Sequence, residues 1–229
     1  MKNYDIIVIG FGKAGKTLAV KAANLGKKVA VIEKSAQMYG GTCINVGCIP
    51  TKKLVNLSKE AQYVNNNVAG EYFTLSIEKK DALVSALRAK NFAMLDGNAN
   101  IDVINGAAKF IDKNSVEVAA VDGSKSVLTA PTIVINTGSI NEKPSFEVSS
   151  NSAYDSTGIL NLKTLPKHLV VVGGGYIGLE FASMFAEFGS KVTIIARSGV
   201  LKNEDDDVKQ SVKTLLQTQG IEILEGCEV

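Results

Sequence analysis

Two cysteines, Cys43 and Cys48, have a type and spacing that point to chemistry. Four residues separate them, which fits neither a zinc-binding pair nor a thioredoxin-like motif. In a regular helix five steps rise about 7.5 Å and turn about 500°, so the two side chains would lie on nearly opposite faces. A disulfide needs Cα atoms within about 7 Å. It would therefore require a deformed backbone, which Gly47 and Pro50 can supply. The alternative is two small buried cysteines.

A glycine cluster near the start of the chain suggests phosphate binding. Gly10, Gly12 and Gly15 fit the pattern G-x-G-x-x-G between an apolar run and a predicted helix. The first glycine permits a tight turn, the second lets a pyrophosphate approach the backbone, and the third lets helix and strand pack closely. The start of the helix then offers N–H groups to the phosphates. Glu33 ends the next apolar run, where a carboxylate can accept both ribose hydroxyls. The pattern predicts a dinucleotide site.

A second glycine cluster repeats this arrangement. It consists of Gly173, Gly175 and Gly178, again between a predicted strand and a predicted helix. The following strand ends at Arg197, with no acid at its tip. An acid would repel a 2′-phosphate, whereas Arg197 can pair with one, and Lys202 would add a second charge. The sequence therefore favours NADPH over NADH. The alternative is that Arg197 is a solvated surface cation.

The elements that must position these residues follow from hydrophobic patterning. The run Asp5–Gly10 predicts a strand, Ala14–Leu25 a helix ended by Gly26, and Val29–Glu33 a second strand. Such a βαβ opening implies a parallel sheet. Further along, the pattern predicts helices at about Thr51–Asn67 and Ile77–Asp96, and strands at Ile101–Ile104, Ala108–Ile111, Ser115–Val121, Ser126–Leu128 and Thr132–Gly138.

After a polar linker, residues 139–156, the opening pattern recurs. Leu169–Val172 predicts a strand, Tyr176–Phe188 a helix stopped by Gly189, Lys191–Ala196 a strand and Ile221–Leu224 a further strand. The repeat predicts two copies of one nucleotide-binding unit. We therefore expect an α/β protein with two Rossmann-like three-layer domains, residues 1–148 and 149–229, both incomplete, and a β-meander in the first.

Composition excludes several classes of protein. Of the 229 residues 45% are hydrophobic and 21% charged, which is typical of a globular chain rather than a disordered one. The 25 Lys and Arg nearly balance the 23 Asp and Glu, so charge gives no reason to expect a nucleic-acid or membrane partner. No apolar run approaches the roughly 20 residues of a spanning helix. Three cysteines cannot form a secreted disulfide framework, so we expect a cytoplasmic protein.

The segment Gly40–Lys52, set between the two glycine clusters, resembles the corresponding segment of class I pyridine nucleotide–disulfide oxidoreductases. That family includes lipoamide dehydrogenase, glutathione reductase and mercuric reductase, and the resemblance covers the whole chain. The segments Gly12–Ala19, Met38–Gly41 and Tyr154–Gly158 look most like one bacterial branch. That branch is similar to mercuric reductases and protects cells against hypochlorous or hypothiocyanous acid.

The resemblance implies an enzyme that passes electrons from NADPH to FAD, then to a Cys43–Cys48 disulfide, and finally to a small-molecule oxidant or disulfide. By the family pattern Cys48 faces the flavin as the charge-transfer thiolate and Cys43 attacks the substrate. Lys52 and Glu180 match an ion pair beside the flavin N5, and Tyr176 matches the nicotinamide gate.

The resemblance also implies a set of cofactor-binding positions and no metal site. Those for FAD are Gly10, Gly12, Ala14, Gly15, Glu33, Lys34, Gly41, Thr42, Lys52, Ala108, Thr137 and Gly138. Those for NADP (or NAD) are Gly173, Gly175, Tyr176, Ile177, Gly178, Glu180, Arg197 and Lys202.

The sequence departs from the family pattern chiefly at its end. Relatives continue into a dimerisation domain that carries a catalytic histidine, whereas the single histidine here, His168, stands before a predicted strand. We therefore expect an incomplete chain with weak or no FAD binding and low turnover, and a homodimer only for the full-length family. Asn141–Pro144 replaces a turn usual in relatives, and nothing supports mercury reduction. Cys227 lies outside every motif.

Two other functions stay open on the sequence. One is a lipoamide dehydrogenase-type enzyme, which the missing acid at Ala196 disfavours because NAD usually calls for one. The other is a catalytically dead nucleotide-binding fragment that acts through interaction alone, which the missing catalytic histidine favours.

Overall fold

A computed structural model describes residues 2–61, 63, 68–144 and 146–228. They divide into two compact units. The first contains residues 1–50 and 81–141, and the second contains residues 51–80 and 142–229. The chain therefore enters the second unit at Thr51, returns at Asp81 and enters it again at Glu142. The assignment of nucleotide-binding domains to residues 1–148 and 149–229 stays a prediction.

Among the described residues, helices and strands alternate around each glycine cluster, whereas five successive strands span residues 101–135. The strands are β1 (Lys2–Asn3), β2 (Ile6–Ile9), β3 (Val29–Glu33), β4 (Ile101–Asn105), β5 (Ala107–Asp112), β6 (Ser115–Ala119), β7 (Lys125–Thr129), β8 (Thr132–Ile135), β9 (His168–Val172), β10 (Lys191–Ala196) and β11 (Glu222–Glu225). The α-helices are α1 (Lys13–Asn24), α2 (Thr42–Asn45), α3 (Cys48–Ala61), α4 (Ala69–Asp96), α5 (Tyr176–Phe188) and α6 (Asp206–Thr218). Short 3₁₀ turns span Ala36–Met38 and Ile159–Asn161.

The first unit is built on a parallel sheet in the order β4-β3-β2-β8. Strand β3 is buried along its whole length, because both faces of the sheet are covered. On one face, Val8, Val29 and Val31 pack with apolar residues of α1 and α4. On the other face, Ile7 and Ile32 pack with residues of the second sheet. The unit therefore has three layers, as the sequence predicts.

The second sheet of this unit has the order β1-β7-β6-β5. Strands β5, β6 and β7 pair antiparallel in succession, which confirms the predicted meander. Val116, Val118 and Leu128 of this sheet pack in the core that the two sheets share. The two-residue strand β1, which the hydrophobic pattern does not reveal, pairs parallel with β7.

The second unit contains a parallel sheet in the order β11-β10-β9. Its core is aromatic: the Phe73 and Phe188 rings meet edge to face with centroids 5.1 Å apart, and Phe185 lies 5.7 Å from Phe73. Helix α5 ends at Gly189, whose φ of +105° is the left-handed conformation that glycine adopts without strain. The predicted bounds of α5 and β10 are confirmed residue by residue.

Several predicted boundaries are wrong. Helix α3 begins at Cys48 rather than Thr51, and α4 begins at Ala69 rather than Ile77. The predicted end of the earlier helix, Asn67, lies outside the described residues. Helix α6 was not predicted, although its apolar residues follow a helical period.

We expected Pro50 to deform the backbone, and it does not. It is the third residue of α3, where a backbone N–H has no partner within the helix and proline is tolerated. Among the residues that the structure describes, no helix is both long and apolar enough to cross a bilayer.

Candidate active site

The first glycine cluster forms a turn wedged between neighbouring strands. The Gly10 amide donates to the Ile32 carbonyl at 2.7 Å, and the Asn136 amide donates to the Ile9 carbonyl at 2.8 Å. Gly10 has a φ of +106°, and a Cβ on it would lie 2.2 Å from the Asn136 carbonyl oxygen. Only glycine fits this position.

The start of α1 follows this turn directly. Gly12 is the N-cap residue, and no side chain caps the helix there. The amide and dipole of the first turn are therefore available to an anion. Gly15 is buried in the first turn, where a Cβ would lie 2.7 Å from Val8 Cγ1. Ala14 is exposed on the same turn.

Asn136 holds the turn together, although sequence reasoning missed it. Its Nδ2 donates to the Gly10 carbonyl at 3.0 Å. The same atom lies 3.0 Å from the Cβ position of Gly12 and 2.5 Å from that of Gly15. The only sequence signal was its place next to Thr137-Gly138, which follow β8 and are exposed.

Glu33 ends β3 with a buried carboxylate. Its Oε2 accepts the Phe11 amide at 2.9 Å, and its Oε1 accepts the Ser35 amide at 3.1 Å. A carboxylate can accept about four hydrogen bonds, so Glu33 keeps capacity for two hydroxyl groups. Its carbonyl accepts the Gly106 amide at 3.0 Å, which anchors the start of the strand that contains Ala108. Lys34 is exposed.

A second pair of glycines brings the cysteine segment onto this turn. Gly40 donates to the Phe11 carbonyl at 3.1 Å. Gly41 has a φ of +77°, and a Cβ on it would lie 2.6 Å from Gly12 Cα. Across from them, a Cβ on Gly138 would lie 3.9 Å from Thr42 Oγ1. The structure therefore brings together the predicted positions Gly12, Gly41, Thr42 and Gly138.

The two cysteines lie on different helices. Helix α2 contains Cys43, and α3 begins at Cys48 after a break at Val46-Gly47. The break confirms that the segment is not a regular helix, with Gly47 supplying the deformation. Both cysteines are free thiols, Cys43 half-buried and Cys48 exposed. A hydrogen bond with Cys48 raises the pKa of the Cys43 thiol, burial raises it further, and Lys13 and Lys16 oppose both effects.

Asn45 supports the turn that precedes Cys43. It is buried, and its Nδ2 donates to the carbonyls of Tyr39 at 3.0 Å and Gly41 at 2.9 Å. Its Oδ1 accepts from Arg88 Nε at 2.8 Å. Sequence reasoning missed this residue, whose one signal was an amide side chain between the two cysteines.

The second glycine cluster borders a cavity of about 400 Å³ in the second unit. Gly173 has a φ of +117°, and a Cβ on Gly174 would lie 2.7 Å from the Gly199 carbonyl oxygen. Gly175 is the N-cap of α5, again without a capping side chain. The lining residues are Gly173–Tyr176, Arg197–Gly199 and Leu201–Glu204.

Two cations line this cavity. Arg197 and Lys202 are exposed and also line an adjoining cavity of about 440 Å³, together with Lys209 and Lys213. Tyr176 and Glu204 line the first cavity as well, and the Tyr176 hydroxyl donates to the Glu204 carboxylate, which raises the pKa of Tyr176. Ile177 beside it is exposed.

Lys52 and Glu180 form an ion pair between α3 and α5 within the second unit. The Lys52 side chain is 69% exposed and that of Glu180 is 30% exposed. A pair this exposed contributes little to stability. The predicted pairing is present, while its role stays a prediction.

The histidine of the chain belongs to the sheet of the second unit. His168 Nε2 lies 2.9 Å from Thr193 Oγ1, and that hydroxyl donates to Glu222 at 2.9 Å. Within the described part of the chain, no three His, Cys, Asp or Glu side chains form a group that could hold a metal ion.

The chain is similar to known proteins along its whole length. The family model described as pyridine nucleotide-disulphide oxidoreductase matches residues 4–229. A probable pyridine nucleotide-disulfide oxidoreductase, RclA, of Escherichia coli K12 is 48% identical over 232 residues, which cover 100% of this chain and 50% of the relative. A mercuric reductase of Lysinibacillus sphaericus is 39% identical over 234 residues, which cover 98% of this chain and 42% of the relative.

A solved structure has the same fold as this chain. The Cu(II) complex of the HOCl-induced flavoprotein disulfide reductase RclA from Escherichia coli superimposes with a TM-score of 0.93 at 46% identity. The match covers 100% of this chain and 50% of that one. The chain thus spans about half the length of these relatives.

Proposed function

Because this chain belongs to the family of pyridine nucleotide-disulphide oxidoreductases, we propose that it is the part of a flavoprotein disulfide reductase that binds FAD and NADPH and contains the redox-active cysteines. Members of this family use FAD and NAD(P)H. One observation carries the proposal: the free thiols Cys43 and Cys48, of which Cys48 raises the pKa of Cys43, belong to a segment whose Gly41 lies directly against Gly12 of the first glycine turn.

The first unit fits FAD. A Cβ on Gly10 would clash with the Asn136 carbonyl and a Cβ on Gly41 with Gly12, so glycine at both positions permits the close packing of the turn, and the start of α1 has no side-chain cap that would compete with a pyrophosphate for its N–H groups. Glu33 retains acceptor capacity for the ribose hydroxyls. Thr42 and Gly138 would border the same ligand. When bound, FAD supplies two-electron exchange between a nicotinamide and a thiol pair.

The thiol chemistry follows from the cysteine pair. The Cys43 thiolate attacks one sulfur of a substrate disulfide, so that a mixed disulfide forms while the substrate S–S bond breaks and its electron pair leaves on the other sulfur. The Cys48 thiolate then attacks the Cys43 sulfur, forms the Cys43–Cys48 bond and releases the second substrate thiolate. The dithiol loses two electrons, and its two protons pass to the two product thiols.

The second unit supports NADPH as the reductant. Arg197 and Lys202 line the same cavity as the Gly173–Gly175 turn. A 2′-phosphate would pair with these cations and a pyrophosphate with the start of α5. We assign to Tyr176, whose hydroxyl donates to Glu204, the role of nicotinamide gate that the family pattern implies.

We also propose a role for Lys52, which forms an ion pair with Glu180. Glu180 holds the Lys52 ammonium within the second unit. We assign to this ion pair the role that the family pattern implies, which is to stabilise the negative charge that develops when electrons arrive at the flavin. The proposed substrate is a small oxidant or disulfide. The complete protein is proposed to be a homodimer. Its proposed location is the cytoplasm, where thiols are kept reduced.

The test uses the complete protein with NADPH and dithionitrobenzoate under anaerobic conditions. We expect one NADPH to be oxidised for each disulfide reduced. Cys43→Ser and Cys48→Ser should each lower the rate at least about 100-fold. Cys227→Ser is the matched control, because Cys227 is exposed outside every motif, and it should keep the wild-type rate.

Three outcomes would count against the proposal. Cysteine variants as fast as the wild type would remove the thiol pair from the reaction. Turnover of lipoamide with NAD, and none with NADPH, would identify a lipoamide dehydrogenase-type enzyme. Nucleotide binding without any turnover would identify a binding protein.

A further inference from the structure

Helix α1 carries two lysines on its first turns, Lys13 and Lys16, that none of the assigned functions uses. The cysteine segment lies on the start of this helix: Gly40 donates to the Phe11 carbonyl at 3.1 Å, and the Cβ position of Gly41 is 2.6 Å from Gly12 Cα. Cys43 follows two residues later. The packing therefore brings the half-buried Cys43 thiol to the lysine-bearing end of α1 within the first unit.

A buried asparagine fixes the second of these lysines. Lys16 Nζ donates to Asn91 Oδ1, and Asn91 Nδ2 donates to the Leu87 carbonyl at 2.6 Å. Asn91 is 5% exposed, and its Cγ lies 3.3 Å from the Cβ position of Gly40. Asn91 thus holds the ammonium group against the turn that leads into Cys43. A lysine ordered in this way has lost the freedom of an ordinary surface lysine.

The charges of this cluster act on one another. Burial lowers the pKa of Lys16, repulsion from Lys13 lowers it further, and the interaction with Cys43 raises it. Reciprocally, both lysines lower the pKa of the Cys43 thiol against the opposing effects of Cys48 and burial. The lysines therefore favour the thiolate, which is the nucleophilic form of cysteine.

We propose that Lys16, held by Asn91 and assisted by Lys13, is a positioning residue that stabilises the Cys43 thiolate and draws substrates with anionic groups to it. This inference rests on the proposed function in one respect, that Cys43 is the attacking thiol. It adds a substrate class, because two cations beside the nucleophile favour an anionic disulfide or oxidant over a neutral one of the same size.

The experiment measures alkylation of Cys43 rather than turnover, so it does not depend on NADPH or FAD. In the complete protein carrying Cys48→Ser and Cys227→Ser, the Cys43 peptide is followed by mass spectrometry with neutral iodoacetamide and anionic iodoacetate between pH 6 and pH 10. In each reaction the thiolate displaces iodide and forms a C–S bond.

We expect Lys16→Gln to slow alkylation by iodoacetamide at pH 7 about three- to tenfold and to move the midpoint of the pH profile upward. The ratio of the iodoacetate rate to the iodoacetamide rate should fall about threefold. Lys16→Arg should restore both values. Lys21→Gln is the matched control, because Lys21 is exposed in the last turn of the same helix and should change neither.

An unchanged midpoint and an unchanged reagent ratio in Lys16→Gln, with wild-type circular dichroism, would overturn the inference. If Lys16→Gln instead weakened FAD binding and left alkylation unaltered, Lys16 would serve the cofactor. Failure of the wild type to reduce dithionitrobenzoate would refute the proposed function while leaving the alkylation result intact, so the two failures are distinguishable.

Discussion

At the scale of single residues, Cys43 and Cys48 have different surroundings although they share one short segment. Cys43 is half-buried and influenced by two lysines of α1, whereas Cys48 is exposed at the first position of α3. This asymmetry suits a division of labour in which one thiol meets the substrate and the other exchanges electrons with the cofactor. The spacing alone did not reveal it, because the difference comes from residues distant in the sequence.

Arg197 provides a test of nucleotide choice. In the complete protein, Arg197→Ala should raise KM for NADPH about tenfold or more and leave KM for NADH nearly unchanged, because it removes one charge-assisted contact to the 2′-phosphate. Steady-state kinetics with both nucleotides measure this. Lys191→Ala, at the opposite end of β10, is the control and should change neither KM. Equal effects of Arg197→Ala on both nucleotides would contradict the assignment.

Lys52 and Glu180 provide a test of charge control. Glu180→Gln removes the carboxylate that holds Lys52 and should slow single-turnover oxidation of NADPH about tenfold or more. Its effect on the free energy of unfolding should be at most about 1 kcal/mol, because the pair is exposed. Stopped-flow absorbance and thermal melting measure the two effects. A large fall in melting temperature with an unchanged rate would indicate a structural pair instead.

At the scale of helices and strands, much of the fold was predictable. The βαβ repeats and the bounds of α5 and β10 follow from apolar runs bounded by glycine and polar residues. Helix α6 was missed because its polar residues outnumber its apolar ones and it follows an acidic loop. Asn136 and Asn91 were unpredictable, since each acts on glycines far away in the sequence.

The glycine turn after β2 provides a test at this scale. Gly10→Ala should destabilise the protein by about 2–4 kcal/mol, because it combines a positive φ with a Cβ only 2.2 Å from backbone oxygen. Gly70→Ala in α4 is the matched control. A Cβ on Gly70 meets nothing within 4 Å, so the change should be neutral or stabilise by about 0.5 kcal/mol. Denaturant unfolding of both variants measures this, and similar stabilities would contradict the account of the turn.

At the scale of the whole molecule, we expect one carboxylate to make the stability depend on pH. Glu225, at the end of β11, accepts from Lys213 Nζ at 2.6 Å and from the Val200 amide at 2.8 Å. The Lys213 contact and the Val200 amide hold the pKa of Glu225 below its usual 4.5. A depressed pKa means that the folded state favours the charged carboxylate. Its stabilisation is therefore present above pH 4.5 and is lost as the pH falls through the folded-state value.

Glu225→Gln should accordingly lower the melting temperature at pH 7, and the difference from the wild type should shrink below pH 4.5. Melting curves recorded from pH 3 to pH 8 measure this. Glu147→Gln, at an exposed position, is the control and should follow the wild type throughout. A difference that stays constant over the whole range would show that Glu225 acts by its shape and not by its charge.

The two glycine turns are near copies, yet the strand after the first ends in Glu33, whereas Arg197 directly follows the end of the strand after the second. When a fold is duplicated, two adenine dinucleotides can compete for the same binding site, because either copy could bind either ligand. The opposite charges at these two positions select between nucleotides with and without a 2′-phosphate. The acidic side chain repels the phosphate, and the basic side chain attracts it. Under the proposed function this difference assigns FAD to the first turn and NADPH to the second, so that an excess of NADPH would not displace FAD.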